Sequence, residues 1–330
     1  MSPSLKGWQS KTDGVVKMKE YKRFKHKAFK TIVVEQFLKL QKKIARQKQF
    51  NLIENRKTRI KNMTKACGKP CKNVQTIKVN LGGYDALFHT PAVVKNSDYV
   101  VLYLHGGAYI GSNIDIYNGF TSKFSHDMGL CCYSLEYPLA PEYPFPHAIN
   151  AVYEFYIQMI EKGHHPSKII LAGDSAGAGL VVSAARRFKK EKISLPSALI
   201  LFSPWVDLSM SGESIRTNIK NDLLLTNQLL ENASKMYCSN AKSTDPAVSA
   251  LFADFAGFPP VFLTATDDEL LFSDSESLYE RLVLHNVEVH YIVYHNMVHA
   301  FIVAANLFKE SRFAMDDVKK FIDKLVKHGF

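Results

Sequence analysis

The stretch Lys168-Ile-Ile-Leu-Ala-Gly-Asp-Ser-Ala-Gly177, continued by Ala178-Gly-Leu-Val-Val-Ser-Ala-Ala185, confines the chain to few architectures. Ile169, Ile170 and Leu171 are apolar on both faces, as a strand buried in a parallel sheet requires, and the Ala- and Val-rich run after them suits a helix packed on that sheet. Between the two, Gly173 and Gly177 flank a turn whose crowding a Cβ would worsen. A serine on such an elbow, Ser175, projects its hydroxyl from the carboxyl edge of the sheet. The same turn leaves the backbone N–H of Ala176 at a helix N-terminus, where an anionic oxygen is well received. A pentapeptide alone can arise by chance, so its weight depends on its surroundings.

At 330 residues, 46% of them hydrophobic and 12% aromatic, the chain can build one large core, and a single elaborated α/β domain fits better than two independent ones. Five cysteines make no disulfide framework: Cys131 and Cys132 sit in an apolar run, and Cys67 and Cys71 have no His or Cys partners nearby. Reduced thiols in a reducing compartment are expected, with no secretory signal in the lysine-rich opening and a cytoplasmic location peripheral to membranes. The longest uncharged run, Val289 to Phe308, is broken by His290, His295, Asn296, His299 and Asn306 and is not a membrane span.

Charge is divided unevenly. Residues 1–80 hold 22 Lys and Arg against four acids, a net of +18, and the remaining 20 basic and 27 acidic residues leave −7. A basic arm thus precedes a mildly acidic body. In the arm Val33, Phe37, Leu40 and Ile44 fall on one helical stripe, which is expected to dock over the site and leave Lys39, Lys42, Lys43 and Arg46 outward. Those outward cations are expected to touch anionic membranes, a solvated lysine face being the plainer reading.

From residue 74 short strands alternate with helices, the pattern of a mostly parallel sheet. Val74–Leu81 and Ala86–Phe88, joined at Gly82-Gly83, read as a hairpin of two edge strands. Tyr99–Leu104 reads as a buried strand running into His105-Gly-Gly-Ala-Tyr109, whose paired glycines let the backbone turn its N–H groups toward a ligand.

These residues carry a resemblance. His105-Gly-Gly-Ala-Tyr109, Tyr137-Pro-Leu-Ala-Pro-Glu-Tyr-Pro-Phe-Pro146, Gly173-Asp-Ser-Ala-Gly177, Ser203-Pro-Trp-Val-Asp-Leu208, Asp245-Pro-Ala-Val-Ser249 leading to Gly257-Phe-Pro-Pro260, and Val298-His-Ala-Phe301 recur in order. Over roughly residues 75 to 305 the chain resembles the hormone-sensitive lipase family of α/β-hydrolases. The resemblance implies an α/β-hydrolase fold, a mostly parallel central sheet flanked by helices, with a helical cap. Residues 1–60 would be a basic helical arm forming part of the cap, 61–204 and 245–330 the two parts of the core, and 205–244 the cap insertion. Pro138 stands where the family usually has Arg, and the arm is more basic than such caps normally are.

A serine is a weak nucleophile at neutral pH and needs a base, which in turn needs a third group to fix its tautomer. In this fold the order is Ser, acid, His. His285, His290, His295 and His299 follow the elbow and an acid-bearing strand end; His290 and His295 belong to the strand Val287–Tyr294 or its end, whereas His299 lies in a loop that can reach the serine. For the acid, Asp267, Asp268 and Glu269 end the strand Val261–Thr266 together and each could reach a histidine. Register against the family pattern selects Asp268, with Asp267 as the fallback.

The expectation is a serine carboxylesterase acting on short- to medium-chain esters: Ser175, Asp268 and His299 as triad, Gly106, Gly107 and Ala176 as oxyanion hole, Tyr109 and Trp205 along the substrate pocket. No cofactor or metal is implied. A lipid-directed lipase, a deacetylase or amidase, and a ligand-binding receptor are the alternatives on the same scaffold. The expected partners are a small-molecule ester, anionic membranes and a second copy of the chain, and not nucleic acid, since the arm lacks an aromatic-interleaved or zinc-bearing module.

Overall fold

Alternation within the buried strands divides the core into two layers. In the strand Val100–Leu104, Val100, Leu102 and Leu104 pack on one face of the sheet while Val101 and Tyr103 pack on the other; in Ile169–Asp174, Ile169 and Leu171 oppose Ile170 and Ala172 in the same way. Strands apolar on both faces need helices on both sides, and the computed structural model, which describes residues 4–12, 15–24, 26–45 and 50–328, supplies them.

In chain order the strands are β1 (Ser4–Thr12), β2 (Val15–Arg23), β3 (Val74–Leu81), β4 (Tyr84–Pro91), β5 (Val100–Leu104), β6 (Cys131–Leu135), β7 (Ile169–Asp174), β8 (Ala198–Phe202), β9 (Val261–Thr266) and β10 (Val289–Tyr294). The helices are α1 (Phe29–Ala45), α2 (Leu52–Cys67), α3 (Ile114–Met128), α4 (His147–Glu161), α5 (Ala176–Lys190), α6 (Ser214–Thr217), α7 (Asn227–Cys238), α8 (Phe272–Leu284) and α9 (Ser311–His328). The strands form one sheet in the order β1-β2-β10-β9-β8-β7-β5-β6-β4-β3. From β2 to β6 every pairing is parallel; β1 with β2, β6 with β4 and β4 with β3 are antiparallel. This is the α/β-hydrolase arrangement expected, with α3 and α9 on one face and α4, α5, α7 and α8 on the other.

Three local expectations change. Of the hairpin, only β3 is an edge strand; β4 is apolar enough at buried Ala86 and Leu87 to sit inside, pairing with β6 from Ala86↔Leu135 to His89↔Cys132. Among the described residues the arm opens with strands and not helix: β1 and β2 extend the sheet beside β10, and the first helix begins at Phe29. Part of the arm's charge is thereby used within the fold, because Lys19 pairs with Glu276 at 2.5 Å and Lys22 with Asp317 at 2.7 Å, joining basic arm to acidic body.

The third change concerns α1. Its inward face is Thr31, Val34, Leu38 and Lys42, and Val33, Phe37 and Leu40 face away from the protein, 51%, 56% and 59% exposed. Ile44's side chain and Arg46 lie outside the described residues. Polar anchors fix the rotation: Glu310 accepts from the N–H of Ala28 at 2.7 Å and from the hydroxyl of Thr31 at 2.5 Å. Lys42, expected outward, is buried and donates to the carbonyls of Ile219, Asp222 and Leu225, tying α1 to the segment before α7. Lys42→Met keeps the stem but removes the donor of three carbonyls, so stability is expected to fall by about 2–4 kcal/mol. The check is a lower urea midpoint at unchanged slope; an unaltered midpoint would show that Lys42 does not support the fold.

Candidate active site

Between β7 and α5 the backbone of Ser175 takes φ 54°, ψ −122°, a region a side-chain-bearing residue enters only under constraint. The constraint is visible. Ser175 N–H donates to the Phe202 carbonyl at 2.8 Å, and its own carbonyl accepts from Gly179 and Trp205 N–H at 3.0 Å each. The flanking glycines are there for room: a Cβ on Gly177 would lie 2.1 Å from the Leu104 carbonyl oxygen, and one on Gly173 would lie 2.7 Å from the Gly177 carbonyl carbon.

His299 Nε2 accepts from Ser175 Oγ at 2.9 Å, and the other ring nitrogen, Nδ1, donates to Glu269 Oε2 at 2.7 Å. A carboxylate only accepts, so this partner puts the ring proton on Nδ1 and leaves Nε2 free to take the serine proton. Both His299 and Glu269 are buried.

The carboxylate beside His299 is therefore Glu269 and not Asp268, because the turn after β9 sends three successive side chains in three directions. Asp267 accepts from His295 Nδ1 at 2.5 Å and from Asn296 N–H at 3.0 Å, clamping the start of the loop that carries His299, with Tyr21 stacked on His295. Asp268 is half-buried, has no hydrogen bond to His299 among the described residues, and its carboxyl is raised by burial and then by Asp267 beside it. Glu269 points inward, its Oε1 accepting from Thr266 N–H at 3.2 Å. Asn218 bonds the carbonyls of Asp267 and Glu269 at 2.8 and 3.0 Å, and Asp222 accepts from Leu270 N–H at 2.8 Å, so the segment tied to α1 also holds this turn. No local feature of the sequence separates Glu269 from Asp267 and Asp268, since all three precede the same apolar pair Leu270-Leu271.

Of the expected oxyanion donors, Gly106 is otherwise engaged. Its N–H donates to Asp174 Oδ1 at 2.9 Å, and the same carboxylate accepts from the hydroxyls of Tyr103 and Tyr117 at 2.8 Å each. Burial pushes the Asp174 carboxyl up against those donors, so its place is structural support beneath the loop. Gly107 has φ 134°, where a Cβ would lie 2.0 Å from the Gly111 carbonyl oxygen, and the N–H groups of Gly107 and Ala176 enter no hydrogen bond among the described residues. Tyr109 and Trp205, expected along the pocket, are enclosed in the core: Tyr109 stacks on Tyr237 at 3.9 Å between ring centres, and Trp205 Nε1 donates to the Asp207 carbonyl at 3.1 Å. Burial of that kind makes them packing residues. Glu142, four residues beyond Pro138, is gripped by Arg56 of α2 through two nitrogens at 2.7 and 2.6 Å, while Arg56 also bonds the carbonyls of Ile110 and Ala140.

Burial alone would lower the His299 pKa, but the hydrogen bond and charge of Glu269 outweigh it and hold the imidazole above its ordinary value. The other buried histidine of this region, His105, has no such partner, and burial lowers it to about 4.

A family model described as alpha/beta hydrolase fold matches residues 101–303. An esterase of Acinetobacter venetianus is 33% identical over 227 residues, 68% of this chain and 75% of the relative, and an acetyl-hydrolase of Streptomyces hygroscopicus is 32% identical over 200 residues, 61% and 66% of the two chains. Among solved structures, an esterase from the bacterial hormone-sensitive lipase family superposes with a TM-score of 0.84 at 27% identity, over 91% of this chain and 99% of that one. The chain belongs to the α/β-hydrolase family, in its hormone-sensitive lipase group, and is a carboxylic ester hydrolase.

Proposed function

We propose that this chain hydrolyses short- to medium-chain carboxylic esters through an acyl-enzyme on Ser175. The observation that carries the reading is the relay Ser175 Oγ, His299, Glu269, with both of its hydrogen bonds under 3 Å. His299 Nε2 takes the hydroxyl proton as Oγ bonds to the ester carbonyl carbon; the oxyanion is received by the N–H groups of Gly107 and Ala176. Collapse breaks the bond to the alkoxide, which leaves with the proton from His299. Water then repeats the sequence and releases the acid, and Glu269 steadies the imidazolium at each stage.

The acetyl-hydrolase relative points to small acyl groups. With p-nitrophenyl esters of increasing acyl length, kcat/KM is expected to peak between acetate and hexanoate and to drop by at least about tenfold for a long-chain ester, as each methylene that finds no room costs discrimination. Mass spectrometry of enzyme quenched during turnover and then digested is expected to show the acyl group on the peptide carrying Ser175. Turnover without any acylated protein, or a preference for long chains, would overturn the reading.

A further inference from the structure

The outer face of α1 is built as though to meet something. Of the fourteen large apolar side chains that are well exposed among the described residues, seven belong to α1 and α2, a concentration that scattered surface residues would not give. On α1 the four that centre the outward face, Phe29, Val33, Phe37 and Leu40, make one stripe at helical spacing, with Phe29 82% exposed. Lys39 and Lys43 border it on one side, and the only acid of the helix, Glu35, is drawn away into a pair with Lys27 at 2.5 Å.

We infer that this face seats on an anionic lipid bilayer. An apolar stripe rimmed by lysines, on a helix lying across the surface, matches an interfacial helix whose apolar side chains enter the acyl boundary while lysine stems reach back to the headgroups. Charge decides between occupants. The exposed residues of α1 are apolar, cationic or Gln, with no carboxylate among them. Two copies meeting across a two-fold axis would set lysine against lysine, whereas phosphatidylserine headgroups complement them. The bilayer would thus hold the helix by its outer face while Lys42, on its inner face, holds the segment that steadies the Glu269 turn. No helix among the described residues is long and apolar enough to cross a membrane, so the contact is with one leaflet's surface.

The test is co-sedimentation of the full chain with phosphatidylcholine vesicles, with and without about one-third phosphatidylserine. Binding is expected only with phosphatidylserine, and weaker as salt rises. Phe37→Ser with Leu40→Ser is expected to weaken partition on the order of 100-fold, since two apolar side chains lose their insertion. Lys39→Gln with Lys43→Gln should weaken it about 25-fold, fivefold for each charge. All four positions are exposed, so the unfolding midpoint and hydrolysis of a soluble p-nitrophenyl ester should stay at the parent's values, separating lost docking from lost fold. Absence of binding to phosphatidylserine vesicles, or binding indifferent to both double variants, overturns the inference. So does a concentration-dependent dimer in sedimentation velocity that Phe37→Ser with Leu40→Ser dissolves while vesicles go unbound, which would give the face to a second copy.

Discussion

Ser175→Ala is expected to lower ester turnover by about six orders of magnitude, the scale on which loss of a triad nucleophile is felt. The hydroxyl has one role the rest of the site cannot take over: without Oγ, His299 has no proton to accept and the oxyanion donors have no tetrahedral intermediate to hold. The fold should not notice. The elbow is held by backbone bonds, Ser175 N–H to Phe202 and the Ser175 carbonyl to Gly179 and Trp205, and alanine preserves all three. The unfolding midpoint should therefore stay at the parent's value, since alanine keeps both the three backbone bonds and the Cβ that makes φ 54° costly. Kinetics and an unfolding curve on the same preparation check both halves. Residual turnover above a thousandth of the parent's, or a fluorophosphonate label on a different serine, would move the nucleophile elsewhere.

What the sequence made legible follows from how local each cause is. The elbow could be read because its requirement lies within ten residues: β7 must be apolar on both faces, Gly173 and Gly177 must admit Leu104, and the helix must begin at Ala176. His299 could be read because a base has to sit in a loop above the strand ends, which excluded His290, on a strand, and left His299 five residues beyond β10. The acid could not be read so securely. Asp267, Asp268 and Glu269 are consecutive carboxylates in one turn, and their directions are set by Asn218 and Asp222, about fifty residues away and invisible to a register argument. Gly106 shows the same limit, since its N–H is claimed by Asp174, a partner that only the packing of β5 against β7 brings near.

The rotation of α1 failed for a related reason. Periodicity finds an apolar stripe but cannot say that it faces inward, and here the pull of Glu310 on Thr31 and of three carbonyls on Lys42 outweighs it. Hydrogen bonds to charged groups, at about 1.5–3 kcal/mol each, rival the burial of an apolar side chain. A helix offered both will turn its anchors inward when the body presents partners for them, and the apolar stripe is then left for another surface.

The remaining large effect separates the two acids. Glu269→Gln is expected to cut kcat by about 10³–10⁴, the scale on which a base loses its orienting carboxylate, whereas Asp268→Asn should change it by less than about tenfold. The pH profile discriminates further. Only neutral His299 can accept the serine proton, so activity is lost on acidification through its pKa, which Glu269 holds above the ordinary 6.5. Removing the charge leaves burial, which works the other way, so the acid limb of kcat/KM in Glu269→Gln should move to lower pH even as the rate collapses. In Asp268→Asn the limb should stay where the parent has it. Stability runs with the opposite sign to activity here. A folded imidazole with a raised pKa stabilises the protein below the unfolded value and loses that contribution as pH rises through the folded one, so the pair favours the fold where the enzyme is switched off. The acid limb should therefore appear with the unfolding midpoint intact. A larger rate loss in Asp268→Asn, or a limb that moves in Asp268→Asn and not in Glu269→Gln, would return the role to Asp268.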